Sequence, residues 1–395
     1  MPNAQKVAVK EETRIICQMC GELTHSISNH IKGSHPDYTV EDYKNDFPEA
    51  PIFSELALAK MEEKRAELRI NHAVSANVIP MTTNLEEMVS MNDLFKLGRS
   101  KAAFNAAGEP IMIKRFMRSH GRDAEMIPEA DDGFVYDIDT LKNILLGLDL
   151  NIPILLWGHA GTGKSSFFEN VAAKTNRPLI RVQHTINTEE SHIVGQWTVR
   201  DGATVFELGP LAVAMKQGHL YMADEYDFAM PSVLSVYQSV LEGKSLVIKE
   251  ADAANRIIKP HPNFRFVATG NTNGSGDETG LYQGTNMQNA ANYDRFGVTC
   301  RVTYMTKTME TRIIVNQSGI DKEDAKRLVD FGSAVRDAFD AGKISATISP
   351  RALINAAKVG LRRGDYIMGA NLAFGNKLNQ VDREICDGLS QRILG

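Results

Sequence analysis

The sequence has few cysteines, no long apolar run and no excess of positive charge. Four cysteines in 395 residues are too few for a disulfide framework, so we expect a reducing compartment. No apolar stretch approaches the roughly 20 residues that span a bilayer, and residues 1–14 lack the apolar core of a secretory signal. The net charge of −5 excludes a chain that is basic as a whole, as many nucleic-acid binders are.

A phosphate-binding loop of the form G-x-x-x-x-G-K-[ST] lies near the middle of the chain. It consists of Gly158, His159, Ala160, Gly161, Thr162, Gly163, Lys164 and Ser165, and Ser166 follows it. An apolar run at residues 152–157 precedes the loop, and residues 165–174 have a helical pattern, which is the order that the motif requires. In such a loop the backbone N–H groups bind phosphate oxygens, the lysine reaches the β- and γ-phosphates, and the serine binds Mg²⁺. The loop therefore predicts a site for ATP and Mg²⁺.

Three polar residues that follow apolar runs extend this predicted site. Asp224 and Glu225 end the run at residues 219–223, as the acids of a Walker-B motif do. We expect Asp224 to hold Mg²⁺ through water and Glu225 to polarise the attacking water. Asn271 ends the run at residues 263–270, where it would orient the water or sense the γ-phosphate. The alternative for Asn271 is a turn-forming role, since glycine and asparagine surround it.

Two arginines complete the predicted catalytic set. Arg295 follows Asp294, and Arg351 stands after Ser349 and Pro350 at the start of a helical pattern. Phosphoryl transfer spreads charge over the equatorial oxygens, and a guanidinium stabilises that charge. The two positions match the arginine finger and the sensor-2 residue of AAA+ ATPases, and a finger that acts in trans requires an oligomeric ring. The alternative is that each arginine only pairs with a local carboxylate, and Arg301 is an alternative finger.

A second candidate site lies near the N-terminus, where Cys17, Cys20, His30 and His35 have the spacing C-x2-C-x9-H-x4-H. Two thiolates and two imidazoles are a set that holds Zn²⁺ tetrahedrally. The short central spacer resembles that of the Ros/MucR-type bacterial zinc finger. A redox pair of cysteines is the alternative, and His25 is a substitute ligand that fits the spacing less well.

The balance of acidic and basic residues in this module indicates what kind of partner it binds. Residues 1–70 contain nine Lys and Arg against twelve Asp and Glu, whereas phosphate binding needs clustered bases. We therefore expect a structural or protein-docking module. The alternative is a nucleic-acid-associated ATPase that the finger guides to its target.

The order of patterns along the chain predicts four segments. Residues 1–75 form the zinc-finger-like module and a helix, and residues 76–132 form a linker. Residues 133–306 alternate strand and helix, which predicts an α/β core with a parallel sheet, and residues 307–395 form an α-helical lid. Ligands of such a sheet bind at the carboxyl ends of its strands. The fold class is therefore α/β, a P-loop AAA+ core with a helical lid and a small N-terminal module.

From about residue 91 onward the chain resembles the CobS-like ATPases, the AAA+ subunits of aerobic cobaltochelatases in the MoxR group. The matching stretches are residues 161–165, 224–227, 260–262, 276–285, 294–295 and 349–351. Of these, the run Gly-Asp-x-Thr-Gly-Leu-Tyr-x-Gly-Thr at residues 276–285 is far more specific than the Walker motifs. The zinc-finger-like N-terminus is not part of this pattern.

The resemblance implies a hexameric ring that uses ATP to remodel or activate a partner. That partner would be a CobT-like protein with a metal-binding von Willebrand-type domain, and the work done would be cobalt insertion by a chelatase complex. It also implies hairpin insertions, which we place at residues 194–206 and 246–258, with Trp197 either an exposed anchor or packed in its hairpin. The expected location is the cytoplasm of a bacterium or of a virus-infected bacterial host.

Overall fold

A computed structural model of the chain describes residues 14–62, 86–98, 101–105, 107–117, 122–277 and 280–395. The predicted helix at residues 54–70 lies outside these ranges from residue 63 onward, as do residues 76–85 of the predicted linker and positions 278 and 279 of the run at 276–285. The chain divides into two compact units, and the division falls after residue 82.

The first unit is a small hairpin followed by two helices. Strands Ile15–Ile16 and Leu23–Thr24 pair antiparallel, and helices Ile27–Ser34 and Val40–Asp46 follow. Ser26 caps the first helix, and Thr39 with Asp42 forms a capping box on the second, so the exposed amides of both helix starts are satisfied. Among the described residues, four are buried in its apolar core, Cys17, Ile27, Ile31 and Tyr43. A core of this size gives little stability, and such modules usually need a metal or a disulfide.

The second unit is built on a parallel five-stranded sheet. In spatial order its strands are Val298–Arg301, Ile154–Trp157, Arg265–Gly270, Leu220–Asp224 and Leu179–Gln183. Alternate residues of each strand face opposite sides, so Leu155 and Tyr221 join one buried cluster while Ile154 and Met222 join the other. Both faces are thus covered, as expected for a parallel sheet. Four of these strands agree with apolar runs predicted from the sequence.

Helices cover both faces of the sheet. Two long ones flank the phosphate-loop strand, Ile138–Leu150 before it and Lys164–Thr175 after it. The shorter ones are Met91–Leu94, Arg122–Glu125, Glu190–Val194, Pro210–Gln217, Pro231–Leu234, Gln238–Leu241 and Ala290–Tyr293. Two antiparallel hairpins project from the core at the expected places, Gly195–Arg200 with Ala203–Leu208, and Leu246–Val247 with Ile257–Ile258.

The described residues between 86 and 116 are not a simple linker. Strands Glu86–Ser90 and Met112–Phe116 pair antiparallel, with Glu86 opposite Phe116 and Ser90 opposite Met112. Met91 and Ile113 are buried in the same apolar cluster as the helix before the phosphate loop. The pairing joins segments more than 20 residues apart, and no local pattern reveals it.

Five helices form the C-terminal lid, Lys307–Ser318, Lys322–Asp340, Pro350–Arg363, Tyr366–Ala373 and Gln380–Leu394. Their apolar faces meet in one buried cluster centred on Phe331 and Leu353. A buried ion pair joins the first two helices, because Arg336 donates two hydrogen bonds to Glu310 at 2.8 and 2.7 Å. Ser349 caps the third helix and Pro350 opens it, as predicted.

Candidate functional site

The phosphate loop leaves the carboxyl end of strand Ile154–Trp157 and enters helix Lys164–Thr175. Two of its glycines are required by close contacts. A Cβ on Gly158 would lie 2.1 Å from the carbonyl oxygen of Val302, and one on Gly161 would lie 2.7 Å from Cβ of Ser349 in the lid. Both glycines also have positive φ angles, 147° and 75°. The loop is therefore held closely against the end of the sheet on one side and the lid on the other.

Lys164 is buried at the centre of the loop, and no carboxylate of the described residues is hydrogen-bonded to it. Its Nζ donates to the carbonyl oxygens of Gly158 and His159 at 2.7 and 2.9 Å, and to Oδ1 of Asn271 at 3.2 Å. Burial lowers the pKa of Lys164 to about 8, against the opposing influence of the nearby acids. A buried ammonium held only by neutral oxygens is well suited to gain an anion.

The carboxylate of Asp224 accepts hydrogen bonds from side chains on three neighbouring helices and strands. Its Oδ1 accepts from Ser165 Oγ at 2.6 Å and from Thr269 Oγ1 at 2.5 Å, and its Oδ2 accepts from Arg181 Nε at 2.8 Å. Burial alone would raise the pKa of Asp224, but these hydrogen bonds and the Arg181 guanidinium outweigh it and hold the pKa below its ordinary value. The hydroxyl of Ser165 and the carboxylate of Asp224 thus lie side by side, and both are oxygen ligands of the kind that Mg²⁺ takes.

Glu225 lies next to this pair in an uncommon backbone conformation, with φ at 53°. Its backbone N–H donates to Thr269 Oγ1 at 3.0 Å, and its carboxylate accepts from Gln183 Nε2 at 2.8 Å. Such left-handed non-glycine residues occur at functional sites where surrounding bonds hold them in place. The turn directs the carboxylate away from the Asp224 cluster and into a contact on the neighbouring strand.

The backbone of Asn271 is held by Asp227, which is fully buried. Oδ2 of Asp227 accepts from the backbone N–H groups of Asn271 and Thr272 at 2.9 and 2.7 Å, and from Thr272 Oγ1 at 2.9 Å. Burial raises the pKa of Asp227. Asn271 therefore lies in a rigid turn with its side chain on Lys164, so the turn-forming role and the contact with the loop occur together.

The two predicted arginines differ in position. Arg351 lines a cavity of about 210 Å³ between the loop and the lid, together with Gly161, Thr162, Gly163 and Ser166. Arg295 instead pairs with Glu242, with 2.8 Å between Nε and Oε1. Within one protomer the structure brings Arg351 to the loop and holds Arg295 on a carboxylate of its own unit.

A second cavity of about 430 Å³ lies on the other side of the loop. His159 and Asn271 line it, and so do Arg301, Tyr282 and Tyr304. The ring of His159 stacks on Tyr304, with 5.5 Å between centroids and 2° between planes. The two cavities leave the phosphate loop accessible from both sides.

Several residues of this site were not singled out from the sequence. Arg181, Gln183 and Thr269 contact the acids, and Asp227 and Tyr282 appeared only as members of matched stretches. Arg181 and Gln183 lie towards the carboxyl end of a strand of the sheet, where polar side chains are a signal for a site. That signal could have found both residues.

The first unit brings together the four predicted zinc ligands. The ligand atoms of Cys17, Cys20, His30 and His35 all lie within 4.8 Å of one another. Cys20 Sγ is 3.1 Å from His30 Nε2, and Cys17 Sγ is 3.9 Å from His35 Nε2. His25 Nδ1 is bonded to Ser54 Oγ at 2.9 Å, and His25 is not among the four clustered residues. Two thiols and two imidazoles at these distances fit a tetrahedral zinc site.

The exposed residues of the first hairpin include Trp197, which remains 47% exposed. Its ring edge packs on Phe206, with 5.5 Å between centroids, and its Nε1 donates to the carbonyl oxygen of Glu250 in the second hairpin at 2.9 Å. Trp197 thus joins the two hairpins while keeping half of its surface free.

No helix within the described parts of the chain is both long and apolar enough to cross a membrane.

Comparison with known proteins agrees with this geometry. Residues 153–296 match the AAA domain (dynein-related subfamily), and residues 310–371 match the CbbQ/NirQ/NorQ C-terminal family. The chain is 34% identical over 280 residues to the aerobic cobaltochelatase subunit CobS of Sinorhizobium sp. The aligned region covers 68% of this chain and 83% of that protein. It is 29% identical over 214 residues to an uncharacterized protein of Staphylococcus aureus, and this aligned region covers 52% of this chain and 77% of that protein.

Among solved structures, the Holliday junction branch migration motor RuvB of Thermotoga maritima is similar to the chain with a TM-score of 0.40 and 14% identity. That similarity covers 68% of this chain and 72% of RuvB. The two family matches span the P-loop core and reach into the C-terminal helices, and the CobS match covers 83% of that protein. The chain therefore belongs to the CobS-like AAA+ ATPases.

Proposed function

We propose that this chain hydrolyses ATP as one subunit of a hexameric ring and uses the energy to remodel or activate a partner protein. The observation that carries the proposal is the convergence of Lys164, Ser165, Asp224, Glu225 and Asn271 at one edge of the sheet, while Arg351 lines a cavity beside the phosphate loop. Each has a role in phosphoryl transfer that its contacts support.

In the proposed reaction the γ-phosphorus of ATP is attacked by a water molecule in line with the bond to ADP. Lys164 and the loop amides bind the phosphates, and Arg351 approaches them from the lid side. Glu225 orients the water and accepts one of its protons as the new P–O bond forms and the bond to ADP breaks. Mg²⁺ bound at Ser165 and Asp224 would offset the negative charge of the β- and γ-phosphates. Arg295 of a neighbouring subunit supplies the guanidinium for the transferring phosphoryl group.

The partner is proposed from the relative. CobS is by name a subunit of an aerobic cobaltochelatase, so we propose a CobT-like, von Willebrand-type partner and a role in cobalt insertion. The test combines the purified chain with CobT-like and corrin-binding chelatase subunits and measures cobalt incorporation with ATP. Incorporation that needs both this chain and ATP supports the role. ATPase activity that is indifferent to such partners, with no incorporation, contradicts it while leaving the ATPase proposal intact.

For the N-terminal unit we propose that Cys17, Cys20, His30 and His35 hold Zn²⁺ and that the module docks a protein. The acidic balance of residues 1–70 supports a protein over a nucleic acid. A gel-shift assay with the full chain at low salt tests the alternative. A shift that is lost when Lys32 and Lys44 are replaced by glutamine would favour nucleic-acid binding by this module.

A further inference from the structure

A cavity of about 370 Å³ lies at the far end of the helix that starts at the phosphate loop. Helix Lys164–Thr175 begins at that loop and is about 18 Å long, and its last residue, Thr175, lines the cavity. Arg177 also lines it and stands two residues before strand Leu179–Gln183, at the amino end of that strand. The phosphate loop follows the carboxyl end of its own strand. The cavity is therefore separate from the site described above.

Most of the residues that line this cavity are apolar. Met88, Met112 and Leu146 line it and remain 58, 49 and 54% exposed. Ile113 and Leu148 line it from the buried cluster beneath. The volume falls in the range of about 300–1,000 Å³ that is typical of small-molecule sites. Apolar side chains that stay open to solvent around a concave surface of this size indicate a place where a ligand binds.

The guanidinium of Arg177 is buried without an anionic partner. Arg177 is 6% exposed, yet no side-chain hydrogen bond or ion pair joins it to any of the described residues, and its Nε is buried and unsatisfied. The guanidinium lies over the ring of Phe116, 4.5 Å from the centroid, and this contact covers one face while the N–H groups point outward along the edge. Burial, with nearby Arg265, lowers the pKa of Arg177 to about 9, against the opposing influence of Glu86 and Asp149. A buried charge in this state is costly unless an anion pairs with it.

The charges around the cavity match a ligand with a single negative charge. Among the described residues, Lys114, Lys142, Arg177 and Asp149 are the charged side chains that line it. Lys114 already pairs with Glu86, with 3.1 Å between Nζ and Oε2. Lys142 and Asp149 carry opposite charges, so Arg177 supplies the positive charge that is left over. A guanidinium binds a carboxylate through two parallel N–H···O bonds, which makes a carboxylate the anion that suits Arg177.

We propose that this cavity binds an aliphatic monocarboxylate, with the carboxylate on the guanidinium of Arg177 and the chain along Met88, Ile113 and Leu146. The ligand supplies the anion that the guanidinium lacks in the free protein, and it covers apolar surface that is otherwise open to solvent. The cavity does not involve the phosphate loop. The inference therefore goes beyond the proposed ATP hydrolysis and does not depend on it.

The test titrates sodium decanoate, sodium hexanoate and 1-decanol into the full chain by calorimetry, with decanoate below the concentration at which it forms micelles. We expect one decanoate per chain, bound about tenfold or more tightly than hexanoate, because each additional buried methylene adds to the affinity. Decanol has the same chain without the charge. It should bind about tenfold or more weakly than decanoate, since it cannot pair with the guanidinium.

Two arginine variants show which residue reads the carboxylate. Arg177→Met replaces the guanidinium with an unbranched apolar side chain, and it should bind decanoate about tenfold or more weakly and no longer prefer it to decanol. Without ligand it should melt no lower than the wild type, because it removes a buried unpaired charge. Arg115→Met is the matched control, since Arg115 pairs with Glu87 at 3.2 Å and lies outside the cavity lining. It makes the same change in net charge and should bind decanoate as the wild type does.

A preference for decanoate that is lost in Arg177→Met and kept in Arg115→Met supports the inference. A wild type that does not bind decanoate, or binds decanol equally well, overturns it. So does an Arg177→Met that keeps the preference, or an equal loss in both variants, which would show only an effect of net charge. Thermal melting shows whether each protein is folded. If Arg177→Met does not fold, Arg177→Lys takes its place: it should weaken decanoate binding about threefold or more, because an ammonium cannot form the paired bonds, and unchanged affinity overturns the inference.

Discussion

The guanidinium of Arg295 pairs with the carboxylate of Glu242, with 2.8 Å between Nε and Oε1, and a second guanidinium nitrogen donates to the carbonyl oxygen of Ala291. Hydrogen bonds from Lys244 and from Arg295 lower the pKa of Glu242. Exposed ion pairs of this kind are weak and easily exchanged. Within one protomer, Glu242 therefore holds Arg295 in an ion pair. For Arg295 to act across a subunit interface, this ion pair would have to break so that the guanidinium could reach the nucleotide of a neighbouring subunit.

Arg295→Ala should bind ATP nearly as the wild type does and lose hydrolysis by at least a hundredfold, because in the proposed reaction the guanidinium acts only on the transferring phosphoryl group. Mixing this variant with Lys164→Ala subunits should restore part of the activity. In the mixed ring an intact loop of one subunit meets an intact arginine of the next. Phosphate release over a range of mixing ratios is the measurement. If no ratio restores activity, Arg295 does not act in trans. Glu242→Gln is the control that frees Arg295 without removing it.

Glu225→Gln should still bind ATP but hydrolyse it at least a hundredfold more slowly, since an amide cannot accept the proton of the attacking water. Gln183 can still bond the new side chain, so the turn should keep its shape. Single-turnover hydrolysis and ATP binding are measured together. Gln183→Ala is the matched variant that removes the orienting contact and keeps the carboxylate. Equal loss of ATP binding and hydrolysis in Glu225→Gln would show a structural role instead.

ATP binding should weaken as the pH rises above about 8. Burial lowers the pKa of Lys164 to about 8 in the empty site, and bound phosphates favour the ammonium and raise that pKa again. Binding therefore takes up a proton at pH values between the two pKa values, and affinity falls across that interval. Calorimetry at pH 8.5 in two buffers of different ionisation enthalpy reports the proton. Lys164→Ala should bind ATP too weakly to measure, and a wild type with pH-independent affinity from 7 to 9.5 would contradict the assignment.

Removal of zinc should unfold the first unit and leave the ATPase unit folded. The apolar core around Cys17 and Tyr43 is small among the described residues, so binding of the proposed zinc would supply folding free energy. Chelation is followed by circular dichroism, metal analysis and ATPase rate. His30→Ala should lose zinc, whereas His25→Ala, which removes the partner of Ser54, should keep it. Zinc content that is equal in both variants would exclude the predicted ligand set.

The buried pair of Arg336 and Glu310 should matter far more for stability than a surface pair in the same lid. Glu310→Gln leaves a buried guanidinium without its charge partner, which costs about 3–5 kcal/mol in other proteins. Lys307→Gln breaks an exposed pair with Asp330 and should change the free energy of unfolding by less than about 1 kcal/mol. Urea unfolding of the two variants measures both values. Equal changes in the free energy of unfolding would show that the buried ion pair contributes no more to stability than the exposed one.

The core sheet was predictable because its signals are local. The apolar runs, the glycine-rich loop and the acids after a strand each occupy a few adjacent residues, and four of the five strands followed from them. Strand Val298–Arg301 was not predicted because only alternate residues of it are half-buried. The sequence pattern predicts a linker where Glu86–Ser90 and Met112–Phe116 form a hairpin, because the pairing joins segments far apart in the chain.

The sequence by itself determined which chemical groups this protein carries: a phosphate loop, two acids, an asparagine, two arginines, and two cysteines and two histidines with zinc-finger spacing, each recognisable from residue type and spacing. Only the tertiary structure decided which of these groups meet. Arg181 reaches Asp224 across 43 residues, Tyr282 reaches Ala160 across 122, and Glu242 receives Arg295 across 53. Such contacts follow from the order of strands in the sheet and the packing of the lid. The free energy that stabilises this arrangement comes from the whole core, so no single segment of the sequence predicts the contacts.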